Sequence, residues 1–125
     1  MENIIFVKRT LYCQLRTNKN PVIKLELKNA RFIVSDIVAK ILKVDNNDGL
    51  MFGFNQKEKT AYVLKDDEAD AFILKRKDAH SLRFSSRDLM QYFDDTFGLL
   101  ETGKSSFLFK IDKKSNNKGL HKIYL

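Results

Sequence analysis

Side chains able to do covalent or acid–base chemistry are few in this chain and poorly spaced for it. The two histidines, His80 and His121, lie in separate segments, and Cys13 is the single cysteine. Three such residues cannot supply the clustered His, Cys and carboxylate set that a metal needs, nor an internal disulfide. Both histidines read as surface or strand-end residues, and Cys13, in an apolar stretch, as a small core residue. Asp94 and Asp95 are adjacent within a helical pattern, so their carboxylates diverge and make no acid–base dyad. Asp45, Asn46, Asn47 and Asp48 loosely resemble an oxygen-rich cation loop, but they lack the spacing and terminal Glu of a calcium site and read as a turn. There is no Gly-rich phosphate loop. No base, nucleophile and oxyanion donor come together, and the expectation is a non-enzymatic protein with no metal and no cofactor.

The chemistry that the sequence does offer is anion binding. Lys and Arg number 23 against 16 Asp and Glu, a formal charge of +7 over 125 residues. The excess sits at the two ends: residues 1–28 carry six basic and two acidic side chains, and residues 110–125 five lysines and one aspartate. Residues 29–109 are nearly balanced, with 12 basic and 13 acidic. Clustered positive charge draws polyanions, because each neutralised phosphate releases counterions. A lysine-rich solvated surface without a partner is the plainer alternative. An apolar content of 43% with ten Phe is enough for one compact domain over residues 1–125. No apolar run approaches the ~20 residues that a membrane-spanning helix needs. Residues 1–7 show neither the basic flank nor the cleavage site of a signal peptide. The expected setting is cytoplasmic, without membrane contact.

The elements that would carry these charges follow from periodicity. Residues 3–15 alternate and predict a strand or hairpin arm, and residues 17–21 predict a polar turn ending at Pro21, the only proline. Residues 22–27 alternate again, with Ile23, Leu25 and Leu27 on one face and Val22, Lys24 and Glu26 on the other. After a break at 28–30, residues 31–34 predict a short strand. Ser35 suits a helix N-cap, with Asp36 in the favourable first turn, and Ile37, Val38, Ile41, Leu42 and Val44 keep helical spacing over 36–44. Residues 45–49 are rich in turn formers. Leu50, Phe52 and Phe54 mark a strand, 60–65 its return, and 66–70 an acidic link.

The same order then recurs. A strand is expected over 71–75, a polar stretch over 76–79 and a short strand over 81–84. A helix over 87–97 follows, capped by Ser85 or Ser86, with Leu89, Phe93 and Phe97 inward. A turn at 101–104, an alternating strand at Phe107, Phe109 and Ile111, a polar loop at 113–119 and a last strand at 121–125 complete the series. Two heptapeptides anchor the recurrence. Arg31-Phe32-Ile33-Val34-Ser35-Asp36-Ile37 and Arg83-Phe84-Ser85-Ser86-Arg87-Asp88-Leu89 share Arg-Phe-x-x-x-Asp-aliphatic, displaced by 52 positions from 31 to 83. The chain therefore reads as α+β, mostly β, with two tandem β-α-β-β units: residues 1–66, including the N-terminal arm, and residues 67–125.

Residues 30–54 resemble the swapped-hairpin DNA-binding domain of the SpoVT/AbrB family. Ala30-Arg31 stands at the family's Gly-Arg, Phe32-Ile33-Val34 at its apolar strand, and Ser35 at the proline before the helix. Val38, Leu42 and Val44 fill the helix's apolar positions, and Asp48-Gly49-Leu50 introduces the hairpin. Leu82-Arg83-Phe84 and Leu89 repeat the pattern, with Ser85 and Ser86 where the family has aliphatic residues. The family's glycine suits a backbone with positive φ or a close approach; its proline fixes a helix start, a role that Ser35 can fill by capping. Two units in one chain are similar to the MraZ arrangement, a pseudo-dimer built as a swapped-hairpin-like barrel.

The resemblance implies binding of duplex DNA, as a transcriptional regulator or architectural factor, through basic side chains on one face. The positions that match are Lys24, Lys28 and Arg31 in the first unit and Arg76, Lys77 and Arg83 in the second. The 52-residue offset pairs Lys24 with Arg76 and Arg31 with Arg83. Arg can read guanine bidentately, while Lys more often sets register on phosphates. A structural alternative pairs Arg31 with Asp36 and Arg83 with Asp88 as local ion pairs. Two other classes of function stay open. One is a protein-interaction or structural module with a protein partner, such as a phage or mobile-element accessory protein or an antitoxin-like chain. The other is a single-stranded nucleic-acid binder that stacks bases on Phe52, Phe54, Phe107 and Phe109; the alternation of these residues favours a core role instead. The chain would act as a monomer (a pseudo-dimer) or as a homodimer.

Overall fold

The structure, a computed structural model, describes residues 21–68 and 70–125. The arm expected over 3–15, with Cys13, lies outside them. Strands β1 (Val22–Glu26) and β2 (Arg31–Ser35) alternate half-buried and buried side chains. Ile23, Leu25, Phe32 and Val34 therefore enter the core, while Lys24, Glu26, Arg31 and Ile33 face outward. The turn between the strands puts Ala30 at φ 48°, in the left-handed region. Its N–H donates to the Leu27 carbonyl at 3.2 Å, and its own carbonyl accepts from the Ser86 N–H at 3.0 Å.

Helix α1 (Asp36–Leu42) starts where Ser35 Oγ accepts the Val38 N–H at 3.4 Å. It ends at Lys43, which adopts φ 59°, and the Val44 N–H reaches back to the Ala39 carbonyl at 2.9 Å. This left-handed cap makes the helix two residues shorter than the expected 36–44, yet Val44 still packs into the core. Strands β3 (Gly49–Asn55) and β4 (Thr60–Lys65) form a hairpin. Then come β5 (Phe72–Ile73), β6 (Lys75–Asp78) and β7 (Ser81–Ser85). Helix α2 (Arg87–Phe97) is N-capped by Ser86, whose Oγ accepts the Leu89 N–H at 3.1 Å, and C-capped by Gly98 at φ 68°. A short 3-10 turn (Leu100–Thr102) leads to β8 (Ser106–Ile111) and β9 (His121–Tyr124).

Among the described residues the strands form one antiparallel sheet in the order β5-β3-β4-β9-β8-β1-β2-β7-β6. It curls into a nearly closed barrel, because its two edge strands are consecutive in the chain with only Leu74 between them. Leu74 stitches the seam: its N–H donates to the Asp48 carbonyl and its carbonyl accepts the Asn47 N–H, both at 2.8 Å. The structure corrects the expected strand over 71–75 with a polar stretch at 76–79. The strand is split around Leu74, and its second part runs on to Asp78, because Lys75 and Arg76 pair with Arg83 and Leu82 of β7. Gly49 sits beside the seam, where an added Cβ would lie 2.5 Å from the Asp66 carbonyl oxygen, so glycine is demanded by close approach.

A phenylalanine cluster fills the barrel. Phe32 and Phe84 are cross-strand partners with rings stacked at 4.9 Å and 6°. Phe93, from α2, packs on both Phe32 and Phe109, at 5.4 and 4.9 Å. Phe107 and Phe109 are buried, and Phe52 and Phe54 are half-buried against the same core. These four thus pack in or against the core.

A basic face across strands β6, β7, β2 and β1

Pairing register determines which charges meet. Arg83 on β7 lies opposite Ile33 of β2 on one side and Lys75 of β6 on the other. Ile33 is opposite Lys24 of β1, and Lys24 is opposite Leu108 of β8. In the neighbouring outward row, Ser85, Arg31, Glu26 and Ser106 follow one another. Arg31 is therefore the diagonal neighbour of both Arg83 and Lys24, a separation of roughly 7–8 Å at the backbone that long side chains span easily. Arg31, Lys75 and Arg83 line one open depression of about 610 Å³ with a floor that includes Phe72, Ile73 and Phe84.

Of the six positions expected to bind, the structure brings Lys24, Arg31 and Arg83 onto this face. Lys28 is exposed in the β1–β2 turn at its end. Lys77 lies in β6 where the pairing with β7 shifts register. Arg76 has a different role. Its guanidinium donates to Asp36 Oδ1 at 3.2 Å, Asp45 Oδ1 at 2.5 Å and the Asp78 carbonyl at 3.4 Å. Its backbone N–H donates to Asn46 Oδ1 at 2.8 Å, and Lys75 Nζ is hydrogen-bonded to Asn47 Oδ1. Together these contacts clasp the 45–48 loop to β6 across the seam. The hydrogen bond from Arg76 holds the Asp45 carboxyl below its ordinary value of 3.8, and Asp45 and Asp36 in turn raise Arg76.

The ion pairs expected at the heptapeptides are not the ones formed. Asp36 pairs with Arg76, and Arg31 pairs with Glu26 at 3.8 Å. Glu26 also takes Lys24, at 3.9 Å. Both contacts are long and open to solvent on one side, so they hold these cations weakly. Among the described residues Arg83 has no ion-pair partner. His80, exposed in the β6–β7 turn, donates its N–H to Asp78 Oδ1 at 2.8 Å, and His121 opens β9.

Sequence reading missed Lys75 and Glu26 as members of the face. The sequence pattern places Lys75 at the end of an apolar strand, and its parity with Arg83 becomes visible only once β6 is paired with β7. No protein-family model matches the chain, and neither a curated protein nor a solved structure is significantly similar to it.

Proposed function

We propose that the outer face of β6, β7, β2 and β1 binds duplex DNA, in a barrel made of two swapped-hairpin-like units. The observation that carries this reading is the convergence of Arg31, Arg83, Lys75 and Lys24 on two adjacent outward rows in which, among the described residues, Glu26 is the one carboxylate. Lysines would track phosphates, and the two arginines, rooted in strands rather than loops, would read base edges. Ile33 and Leu108, flanking Lys24, offer apolar contact of the kind a thymine methyl accepts.

The two-unit reading draws support from the pairing. β8, from the second half, pairs with β1 of the first, and β3, from the first half, pairs with β5 of the second. An exchange of hairpins would produce such pairings. Phe32 faces Phe84 across β2 and β7, its own counterpart under the 52-residue offset, as a residue on a two-fold axis would. The offset holds only locally, however. Leu25 lies opposite Phe32, and Lys75 opposite Arg83 makes Leu74 the residue facing Phe84, so the counterpart of Leu25 is Leu74. The aspartates also slip: Asp36 is the first residue of α1 and Asp88 the second of α2. Lys24 then matches Ile73 rather than Arg76, which agrees with the separate duty of Arg76 at the seam. The left-handed Ala30 supports the family reading too, since it is the position where the family carries glycine.

The test is titration of a fluorescent duplex at several salt concentrations. Arg31→Glu and Arg83→Glu should each weaken binding by tenfold or more, and each should flatten the slope of log affinity against log salt by about 1 or more. Absence of binding to any duplex at low salt would refute the reading, and equal affinity for single strands would refute the duplex preference.

A further inference from the structure

A second basic site lies away from this face. Lys43, Lys65, Lys113 and Lys114 line an open groove of about 650 Å³ together with Ile41, Leu42, Leu64, Ser115, Gly119 and His121. The four ammonium groups come from three separate segments: the C-cap of α1, the end of β4 and the β8–β9 loop. Among the described residues no carboxylate lines the groove. Unlike Lys24 and Arg31, none of the four has an ion-pair partner among the described residues. Gathering four like charges without a counter-ion is unfavourable, and a bound polyanion would relieve it.

The loop that presents two of these lysines is closed by its own hydrogen bonds. Asn116 Oδ1 accepts the N–H groups of Lys118 and Leu120 at 2.9 and 3.0 Å. The Asn116 N–H donates to the Leu120 carbonyl at 2.9 Å, and Gly119, at φ 80°, donates its N–H to the Asn116 carbonyl at 3.0 Å. The His121 ring is held by Nδ1 against the Asp112 carbonyl at 2.9 Å. Ile41 and Leu64, both half-buried, add apolar surface to the lining beside Lys43 and Lys65.

We propose that this groove binds a nucleoside polyphosphate. Two or more adjacent phosphates answer the four lysines, which act as compact point charges without the planar fork that favours a single carboxylate. The flat face of a base answers the apolar lining given by Ile41 and Leu64. This site is independent of the duplex face: it shares no residue with it, and either could exist without the other.

The test is an amide NMR titration of the full chain with ATP in magnesium-free buffer at constant ionic strength, with sodium tripolyphosphate as a second arm. The expected result is a saturable shift confined to residues 41–43, 64–65 and 113–121. Lys113→Glu with Lys114→Glu, on an exposed loop, should weaken it at least tenfold, while Arg31→Glu with Arg83→Glu leaves it unchanged. Shifts spread over all surface lysines and growing without saturation would overturn the site, as would indifference to the Lys113 and Lys114 changes. Tripolyphosphate should bind more weakly than ATP; equal affinity would overturn the role given to the apolar lining. Lys43→Gly supplies a check against simple misfolding. Glycine suits the left-handed cap, so the melting temperature should rise while ATP affinity falls, and unchanged affinity would remove Lys43 from the site.

Discussion

If the seam at Leu74 closes the barrel in solution, Leu74→Ala should be as damaging as a substitution in the middle of the sheet. Leu74 and Leu25 are both fully buried, so each serves as the other's control. Truncating Leu to Ala removes roughly three methylene equivalents, at about 0.8 kcal/mol each, or about 2.4 kcal/mol of transfer free energy. The barrel interior is packed with rings and can collapse only in part, which adds on the order of 1 kcal/mol for the cavity. Each variant should therefore lose about 3–4 kcal/mol, measured by urea unfolding with the slope m held common. Neither substitution touches the backbone bonds of Leu74 to Asn47 and Asp48. The loss thus reports side-chain packing at a closed seam rather than broken pairing. A loss under about 1 kcal/mol for Leu74→Ala beside a full loss for Leu25→Ala would mean that β5 and β6 fray apart, and would refute closure.

Two further outcomes follow from the charges and one from a backbone cap. Asp45 has a folded pKa below its ordinary 3.8, so the clasp it makes with Arg76 stabilises the protein above that value and is lost as pH falls through the lower folded one. Urea midpoints measured between about pH 5 and about pH 2 should fall further for the native chain than for Arg76→Ala; parallel curves would remove Asp45 from acid unfolding. Glu26→Gln releases both Lys24 and Arg31, and it should raise duplex affinity by about threefold or more at low salt, with the gain shrinking as salt rises; weaker binding would argue that Glu26 positions Arg31. Lys43→Gly relieves a left-handed non-glycine cap worth about 1–2 kcal/mol and adds about 0.5–1 kcal/mol of chain entropy to the unfolded state, so a net gain of about 0.5–1 kcal/mol in thermal or urea unfolding is expected.

Local chemistry made much of this fold legible. Ser35 and Ser86 cap the helices as their types suggest, and Leu89 and Phe93 enter the core as their spacing suggests. The alternation of Phe107, Phe109 and Ile111 survives as a strand with those three inward. What stayed hidden depends on partners distant in the chain. The Lys75–Asp78 strand has no apolar alternation of its own and is a strand only because β7 pairs with it. Arg76 reads from sequence as a binding cation, while the carboxylates that engage it are 31 and 40 residues away. The lysine groove is assembled from positions 43, 65, 113 and 114, and no window of sequence contains it. Net charge located the basic excess at 110–125 but could not say that it meets the end of α1.

Ala30 shows how a left-handed turn position can be held without glycine. Its φ of 48° costs an alanine about 1–2 kcal/mol relative to glycine. Glycine would add about 0.5–1 kcal/mol of chain entropy to the unfolded state. It would also forfeit a methyl group that is 99% buried in effect, since Ala30 is only 1% exposed, worth about 0.8 kcal/mol. The two sides nearly cancel, so the turn can hold either residue at little cost. The Ser86 N–H bond to the Ala30 carbonyl then ties this turn to the start of α2, which steadies β2 against β7. That register is what sets Arg31 diagonal to Arg83. The left-handed turn is thus kept by tertiary contacts, and these same contacts align the two arginines on which the duplex reading rests.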